Sequence, residues 1–498
     1  MPPLNLKNRP ALLNLRQPLT SIFIKNLFGN ISFVVLLNLL VKPLWLVLEN
    51  KVQNQIGHKA FGTFAALFSF TFLFTALSDL GIYHYFTKQT AATPSFMKVH
   101  LPIILPFKTL ISFVFPFIMV LAGWLIGYRL PELYYLVLIG FVFTFTQFTL
   151  FLRGVLQAHQ LFNLDSVMSV LERFLLLFLV GVLLYYGITL ETFVYARLAS
   201  VLLAFGILYF IFRRTFGAFP AKWQPRQFMQ LVKLSFPFAV INLVYGINEK
   251  IDMVMLERLA TSQEAGIYAG AYRWVDAVMM YVWTVLPIFF AKFARHQREP
   301  QEQQKLLHFG QVMVSVPLIF VSVFVFFYGE KLFWQFSNSS AAEMQVMLLN
   351  LKILFANVLV HGFFAIYSTV LTSSNWEVTV SKLVAVSIVV NVMLNFIFIP
   401  VYGSLAASCN TFISAALVSG GYLWLLQPKI GIAVPIWLIL KLALSTAALV
   451  AIFYGLSLLS GNWWLNTILA GLALLGLLLI TQVVRIADLK ANLFSSKN

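Results

Sequence analysis

Apolar stretches of bilayer-spanning length follow one another along almost the whole chain, and their connections are too short to fold by themselves. A spanning helix needs about 20 mainly apolar residues, and more when it is tilted. Fourteen such stretches can be read, near residues 27–49, 58–85, 103–127, 133–157, 164–187, 190–212, 232–257, 263–290, 308–328, 346–371, 378–400, 403–426, 433–458 and 463–485. Backbone polar groups find no water in hydrocarbon, so only helices and closed barrels cross it. The alternating pattern of barrel strands is absent. An all-α polytopic membrane protein is therefore expected. Composition agrees: 10% of the residues are charged, against roughly 25% in a soluble domain. No small-residue cleavage site follows the first apolar run, which is expected to stay as helix one.

Charge placement gives an orientation. Twenty-three of the 34 Lys and Arg fall on the side that would be inner if the N-terminus is inside, among them Lys7, Arg9, Arg16, Lys25, Lys108, Arg153, Arg213 and Arg214. Five fall on the other side: Lys51, Lys59, Arg129, Arg258 and Lys331. Basic residues collect on cytoplasmic loops, so both termini are expected in the cytoplasm, with the chain in the cytoplasmic (inner) membrane. The same rule accounts for the net charge of +17, and no nucleic-acid partner is expected.

The chain also resembles itself. Gly266-Ile267-Tyr268-Ala269-Gly270 matches Gly62-Thr63-Phe64-Ala65-Ala66, and at the same offset Asn242-Leu243 matches Asn38-Leu39. Helices one to six and seven to twelve then form two lobes in parallel repeat. The expected division is 1–215 for the first lobe, 216–430 for a linker and the second lobe, and 431–498 for two further helices and a cytoplasmic tail. The linker, Arg213 to Val232, is expected to lie along the inner membrane face.

Catalytic signatures of soluble enzymes are missing: there is no phosphate-binding glycine loop, HExxH or GxSxG. Cys409 is the single cysteine, which excludes a disulfide framework or a cysteine-rich metal site. No enzyme activity, metal or cofactor is expected. The informative residues are ionisable groups at membrane depth, where charge is costly and marks function by default. Six basic residues (Lys42, Arg173, Arg197, Lys250, Arg273 and Lys352) stand against five acids (Asp79, Glu172, Glu249, Asp252 and Asp276). Lys42 precedes Pro43, which can bend helix one towards a cavity. Arg197 and Lys352 lie near span ends and are expected to snorkel. Asp79 is either a cavity acid or a helix-end contact. Glu172 and Arg173 are adjacent and point about 100° apart, so at least one faces the interior.

Glu249 and Asp252 share a helix face with Lys250 rotated away, and Arg273 and Asp276 are spaced to pair. These groups either neutralise one another or face a water-filled cavity in which cations hold an anion and carboxylates bind a coupling ion, H+ or Na+. His361 is either a proton relay or a packed histidine. Asn391 and Asn395 form a polar stripe suited to interhelical hydrogen bonds.

Val41-Lys42-Pro43-Leu44-Trp45, Gly57, Phe61-Gly62-Thr63-Phe64 and Ser78-Asp79-Leu80-Gly81 resemble the opening of polysaccharide-biosynthesis flippases, a branch of the multidrug/oligosaccharidyl-lipid/polysaccharide exporter superfamily. Asn248-Glu249-Lys250-Ile251-Asp252 and Glu264-Ala265-Gly266-Ile267-Tyr268 resemble the start of that family's second lobe. The resemblance implies two six-helix lobes around a central cavity. It also implies translocation of a polyprenyl-diphosphate-linked oligosaccharide, a surface-polysaccharide or lipopolysaccharide precursor, by alternating access. Its cationic cavity residues map to Lys42, Lys250 and Arg273, and its partners would be that glycan lipid, the bilayer and other polysaccharide-assembly membrane proteins. The five acids depart from a purely cationic cavity and keep ion coupling open. A proton- or sodium-coupled multidrug exporter of the same superfamily, or a lipid II flippase, is the alternative.

Overall fold

The computed structural model describes residues 41–483 apart from 42, 94, 298 and 482. No strand occurs among the described residues. In chain order the helices are α1 (43–56), α2 (His58–Leu73), α3 (Thr75–Asp79), α4 (Ile82–Ala92), α5 (Ser95–Leu125), α6 (Leu130–Ala158), α7 (Phe162–Tyr186), α8 (Leu190–Phe216), α9 (Pro225–Leu259), α10 (Ser262–Arg295), α11 (Pro300–Tyr328), α12 (Ala341–Ser373), α13 (Glu377–Ile430), α14 (Ile436–Leu459) and α15 (Trp463–Ile480). A 3₁₀ turn, Gly329–Phe333, follows α11.

Eleven helices among the described residues, α5 to α15, are long and apolar enough to cross a membrane. α13 is two crossings. Its helix is interrupted at Gly403, with φ 56° and ψ −134°. Its two arms run antiparallel, because Asn410 donates to Asn395 at 2.9 Å and Ser387 to the Ser414 carbonyl at 3.3 Å. The amide of Ser404, freed by the bend, donates to Glu264 at 2.8 Å, which meets the requirement that backbone donors inside a membrane be satisfied. With α1 and the broken run α2–α4, the layout agrees with the expected fourteen spans. The chain is a multi-pass, all-α membrane protein.

Three expectations from the sequence are corrected. Helix one does not end at 49. It runs to residue 56 and stops at Gly57, whose φ is 86°. The expected single span 58–85 is three helices, because Leu80 and Gly81 both take left-handed backbone angles, φ 52° and 72°. This break is held from outside: Ser235 Oγ of α9 donates to the Leu80 carbonyl at 2.7 Å. A Cβ at Gly81 would stand 2.3 Å from the Ser235 carbonyl oxygen, so only glycine allows the approach. Most of the expected linker is helical too. Only 217–224 lies outside helices, and it is tied to α5 by Lys222 N–H donating to the Pro102 carbonyl at 2.9 Å and by Trp223 stacked on Phe107.

Helices α4 to α8 pack together, α10 to α13 pack together, and α14 and α15 form a pair resting on α11. α14 buries the stripe Leu438, Leu442, Leu449 and Phe453, and α15 buries Asn466, Ala470, Leu474 and Leu478. Leu444, Leu458, Leu472 and Leu475 on their other faces are exposed, as lipid-facing residues must be. In hydrocarbon such pairs are held by close packing and not by expulsion of water.

α2 sits between the two groups, against α6 on one side and α9 and α10 on the other. Its closest approach to α10 is at Gly62 and Gly266, the first residues of the two similar motifs. A Cβ at Gly62 would stand 1.7 Å from the Ser262 carbonyl oxygen, and one at Gly266 would stand 2.0 Å from that of His58. Small residues let membrane helices touch backbone to backbone in this way. α2 to α4 are thus held against α9 and α10 at two levels, Gly62/Gly266 and Gly81/Ser235. The polar residues treated next lie between those levels.

Candidate functional site

Two adjoining cavities share a wall made of Glu249, Asp252, Tyr272 and Asp276. The first, of about 280 Å³, lies between α1, α2 and α8 on one side and α9 and α10 on the other. The second, of about 150 Å³, lies among α9, α10, α12 and α13.

The first cavity holds the cations. Arg197, from α8, donates to Glu49 of α1 at 2.8 Å, and Arg273, from α10, approaches the other Glu49 oxygen at 3.5 Å. Arg273 also donates to Asn50 and, at 2.6 Å, to Gln53. Both guanidinium groups are packed on aromatic faces. Arg197 Cζ lies 5.0 Å from the ring centroids of Trp45 and Phe68 and 5.1 Å from those of Phe64 and Phe193, and Arg273 Cζ lies 4.4 Å from that of Phe61. Aromatic faces stabilise a partly desolvated cation through the ring quadrupole and leave its N–H fork free to meet an anion. Lys250 completes the set, 2.9 Å from Glu249 and 3.8 Å from Asp276, over the Tyr272 ring.

No Lys or Arg among the described residues lines the second cavity. Its polar lining includes Asp252, Asn357, His361, Asn391 and Thr411. Asp252 accepts from Asn395 Nδ2 and from Thr411 Oγ1, each at 2.7 Å. Asn395 also donates to Asn391 at 3.0 Å. The carboxylate is thereby held by amides and a hydroxyl and not by a counter-charge. Asn357 Oδ1 is buried and finds no hydrogen-bond donor among the described residues.

Several sequence expectations are rearranged by this geometry. Arg197, expected to snorkel, is largely buried and bound to Glu49. Arg273 and Asp276 do not pair with each other, because Arg273 turns to α1 and Asp276 to Lys250. Glu249 and Asp252 both line the shared wall, but their partners differ: Lys250 for one, α13 for the other. Asp79 lines neither cavity. It pairs with Lys108 at 2.9 Å and accepts from Tyr83 N–H at 3.2 Å. Lys108, counted with the inner-side charges near the start of the span 103–127, is a buried residue of α5. Arg153, also counted on the inner side, pairs with Asp165 at 2.6 Å. Glu172 and Arg173 line neither cavity. Lys42 lies outside the described residues. Sequence reasoning missed Glu49, although its spacing of seven from Lys42 repeats one helix face and could have flagged it.

A family model described as polysaccharide biosynthesis protein matches residues 27–290, more than half of the chain. The chain belongs to the polysaccharide biosynthesis protein family. The match takes in α1 to α9 and nearly all of α10, and so every cation of the first cavity. Among solved structures, this family member is similar to a lipid II flippase MurJ in an inward closed conformation, at 15% identity and a TM-score of 0.70, over 92% of this chain and 99% of that one. It is also similar to a multidrug resistance MATE family transporter of the MOP superfamily. The inward-facing form gives a TM-score of 0.65 at 12% identity over 77% of this chain and 93% of that one. The outward-facing form gives 0.56 at 13% identity over 80% and 94%. At these identities the likeness is one of fold. A comparison with the curated proteins finds no match.

Proposed function

We propose that this protein flips a polyprenyl-diphosphate-linked oligosaccharide, a surface-polysaccharide or lipopolysaccharide precursor, across the cytoplasmic membrane by alternating access, with both termini in the cytoplasm. The observation that carries this reading is the first cavity: Arg197, Lys250 and Arg273 converge at membrane depth in a chain of the polysaccharide biosynthesis protein family. A diphosphate cannot cross hydrocarbon alone. Paired guanidinium and ammonium groups supply the charge-assisted bonds it needs, while the polyprenyl tail stays in lipid.

The lobes, 1–215 and 216–430, would rock about the contacts at Gly62/Gly266 and Gly81/Ser235, opening one while the other holds. The reading of residues 431–498 as a separate pair and tail is supported by the packing of α14 and α15 on α11. The second cavity fits a coupling ion. Its donors are oxygens of Asp252, Thr411, Asn391 and the unpartnered Asn357, a set suited to a hard cation such as Na+ or to a proton on Asp252. Other polysaccharide-assembly membrane proteins would supply the glycan lipid and take it on.

Export of a surface glycan by cells carrying a Lys42→Ala, Lys250→Ala, Arg273→Ala triple variant tests the assignment. Export should fall sharply while the protein still inserts in the membrane. Wild-type glycan levels would refute the cation site.

A further inference from the structure

A third cavity, of about 700 Å³, opens where the two groups of helices meet at the α1–α2 turn. It is built from three separate parts of the chain: Lys51, Asn54 and Gln55 of α1, Tyr185 at the end of α7, and Trp334 to Asn338 after α11. Its chemistry differs from that of both cavities described above. Two large aromatic side chains, Trp334 and Tyr185, are 63% and 85% exposed and line the same hollow. Lys51 Nζ stands 5.9 Å from the Trp334 ring. No carboxylate among the described residues lines it. Around the rings stand the side-chain amides of Asn54, Gln55 and Asn338, while Gln335 is buried beneath them.

Trp334 and Tyr185 share a polar hollow with a lysine and the amides of Asn54, Gln55 and Asn338. Flat apolar faces beside planar donor–acceptor amides match the two sides of a sugar ring, whose C–H face is apolar and whose rim carries hydroxyls. The walls are themselves cross-tied: Asn338 N–H donates to Asn54 at 2.9 Å, and Asn54 Nδ2 to Ser337 at 3.3 Å. A second hollow of about 340 Å³ shares Asn54, Gln55 and Asn338, and continues towards Lys59 and His58. The pair is long enough for more than one ring.

We infer that this junction is a binding site for an acidic oligosaccharide, separate from the diphosphate cavity. The inference rests on the flippase reading, under which this face is the outer one. Lys51, in the hollow whose described lining holds no carboxylate, favours a uronate there, while Glu343 lines the second hollow and favours a neutral ring in it. The site draws residues from both sides of the junction, so it is complete only while this end is closed. A bound glycan therefore shifts the population towards that closed state, as any ligand does for the state it prefers.

Calorimetric titration of the purified full chain with hyaluronan tetrasaccharide, and with neutral maltotetraose as its control, tests the site. The acidic probe should bind more tightly than the neutral one. Trp334→Ala should weaken it by about tenfold, as loss of a central aromatic anchor does, and Trp334→Phe by less. Lys51→Gln should abolish the preference for the acidic probe. Equal binding by wild type and Trp334→Ala, no binding of either probe, or a preference that survives in Lys51→Gln would each overturn the proposal. Gel filtration of each variant separates lost binding from lost folding. A chain that binds the probe while cells deleted for this protein export surface glycan normally would defeat the flippase reading and leave the saccharide site standing. Loss of export in Arg273→Ala cells with no binding of either probe would do the reverse.

Discussion

The two central cavities share a wall and differ in almost everything else. On one side of Glu249, Asp252, Tyr272 and Asp276 stand Arg197, Lys250 and Arg273, and on the other no Lys or Arg among the described residues. The cationic side is assembled from α1, α8, α9 and α10, so it draws on both groups of helices and must change when they move. The acidic side is assembled within α9 to α13. One short stretch of α9 serves both: Lys250 turns to one cavity and Asp252 is tied to α13. An anion held on one side and an ion or proton held on the other would act on the same helix, which is the geometric minimum for coupling.

The largest effect expected from breaking this contrast is on the cationic side. Arg273→Ala removes charge-assisted bonds to Glu49, Asn50 and Gln53, and any to substrate. At 1.5–3 kcal/mol for such a bond, glycan export should drop by about tenfold or more. Arg273→Lys should recover only part of it, because an ammonium cannot reproduce the fork. Export scored by surface-glycan immunoblot at equal protein level decides this, and an unchanged blot would remove Arg273 from the site.

Asp252→Asn should act differently. It removes the carboxylate of the second cavity that an amide and a hydroxyl hold, so export should lose its dependence on Na+ or on the proton gradient. Binding of farnesyl diphosphate to the purified protein should stay within about twofold, since Asp252 pairs with no cation of the first cavity. Transport in vesicles with and without each gradient reads the first effect, and calorimetry the second. A variant that keeps its gradient dependence would place the coupling elsewhere.

The smallest effect concerns Glu49, which occupies the two arginines that an incoming diphosphate would need. Glu49→Gln removes a competing charge from a largely buried cluster. Farnesyl diphosphate should then bind about threefold more tightly, a change of about 0.7 kcal/mol. Weaker binding would show instead that Glu49 positions the arginines and does not compete for them.

The fourteen spans and their order were legible in the residues, because apolar length and helical period are local properties. The division of labour was not. Arg273 and Asp276 have the spacing of a pair, yet Arg273 is satisfied by Asn50 and Gln53, more than two hundred positions away in the chain. In sequence Lys108 counts with the inner-side charges because it stands near the start of the span 103–127, and three prolines, Pro102, Pro106 and Pro116, lie around it. In the fold α5 continues through all three, and the ammonium pairs with Asp79. Arg197 looked like a snorkelling end residue, and only the packing of α1 against α8 shows that Glu49 meets it.

The sequence by itself determined that this chain crosses a membrane many times, that its two similar motifs are headed by Gly62 and Gly266, and that charge stands where lipid cannot solvate it. Each of these follows from a window of residues and the cost of burying polar groups in hydrocarbon. Only the tertiary structure decided that those two glycines meet and that cations gather on one side of Glu249 and Asp252 while amides and hydroxyls gather on the other. Partners at these sites are chosen by helix packing. Neighbouring helices bring together residues that lie far apart in the chain, and a buried charge must take whichever partner packing brings within reach.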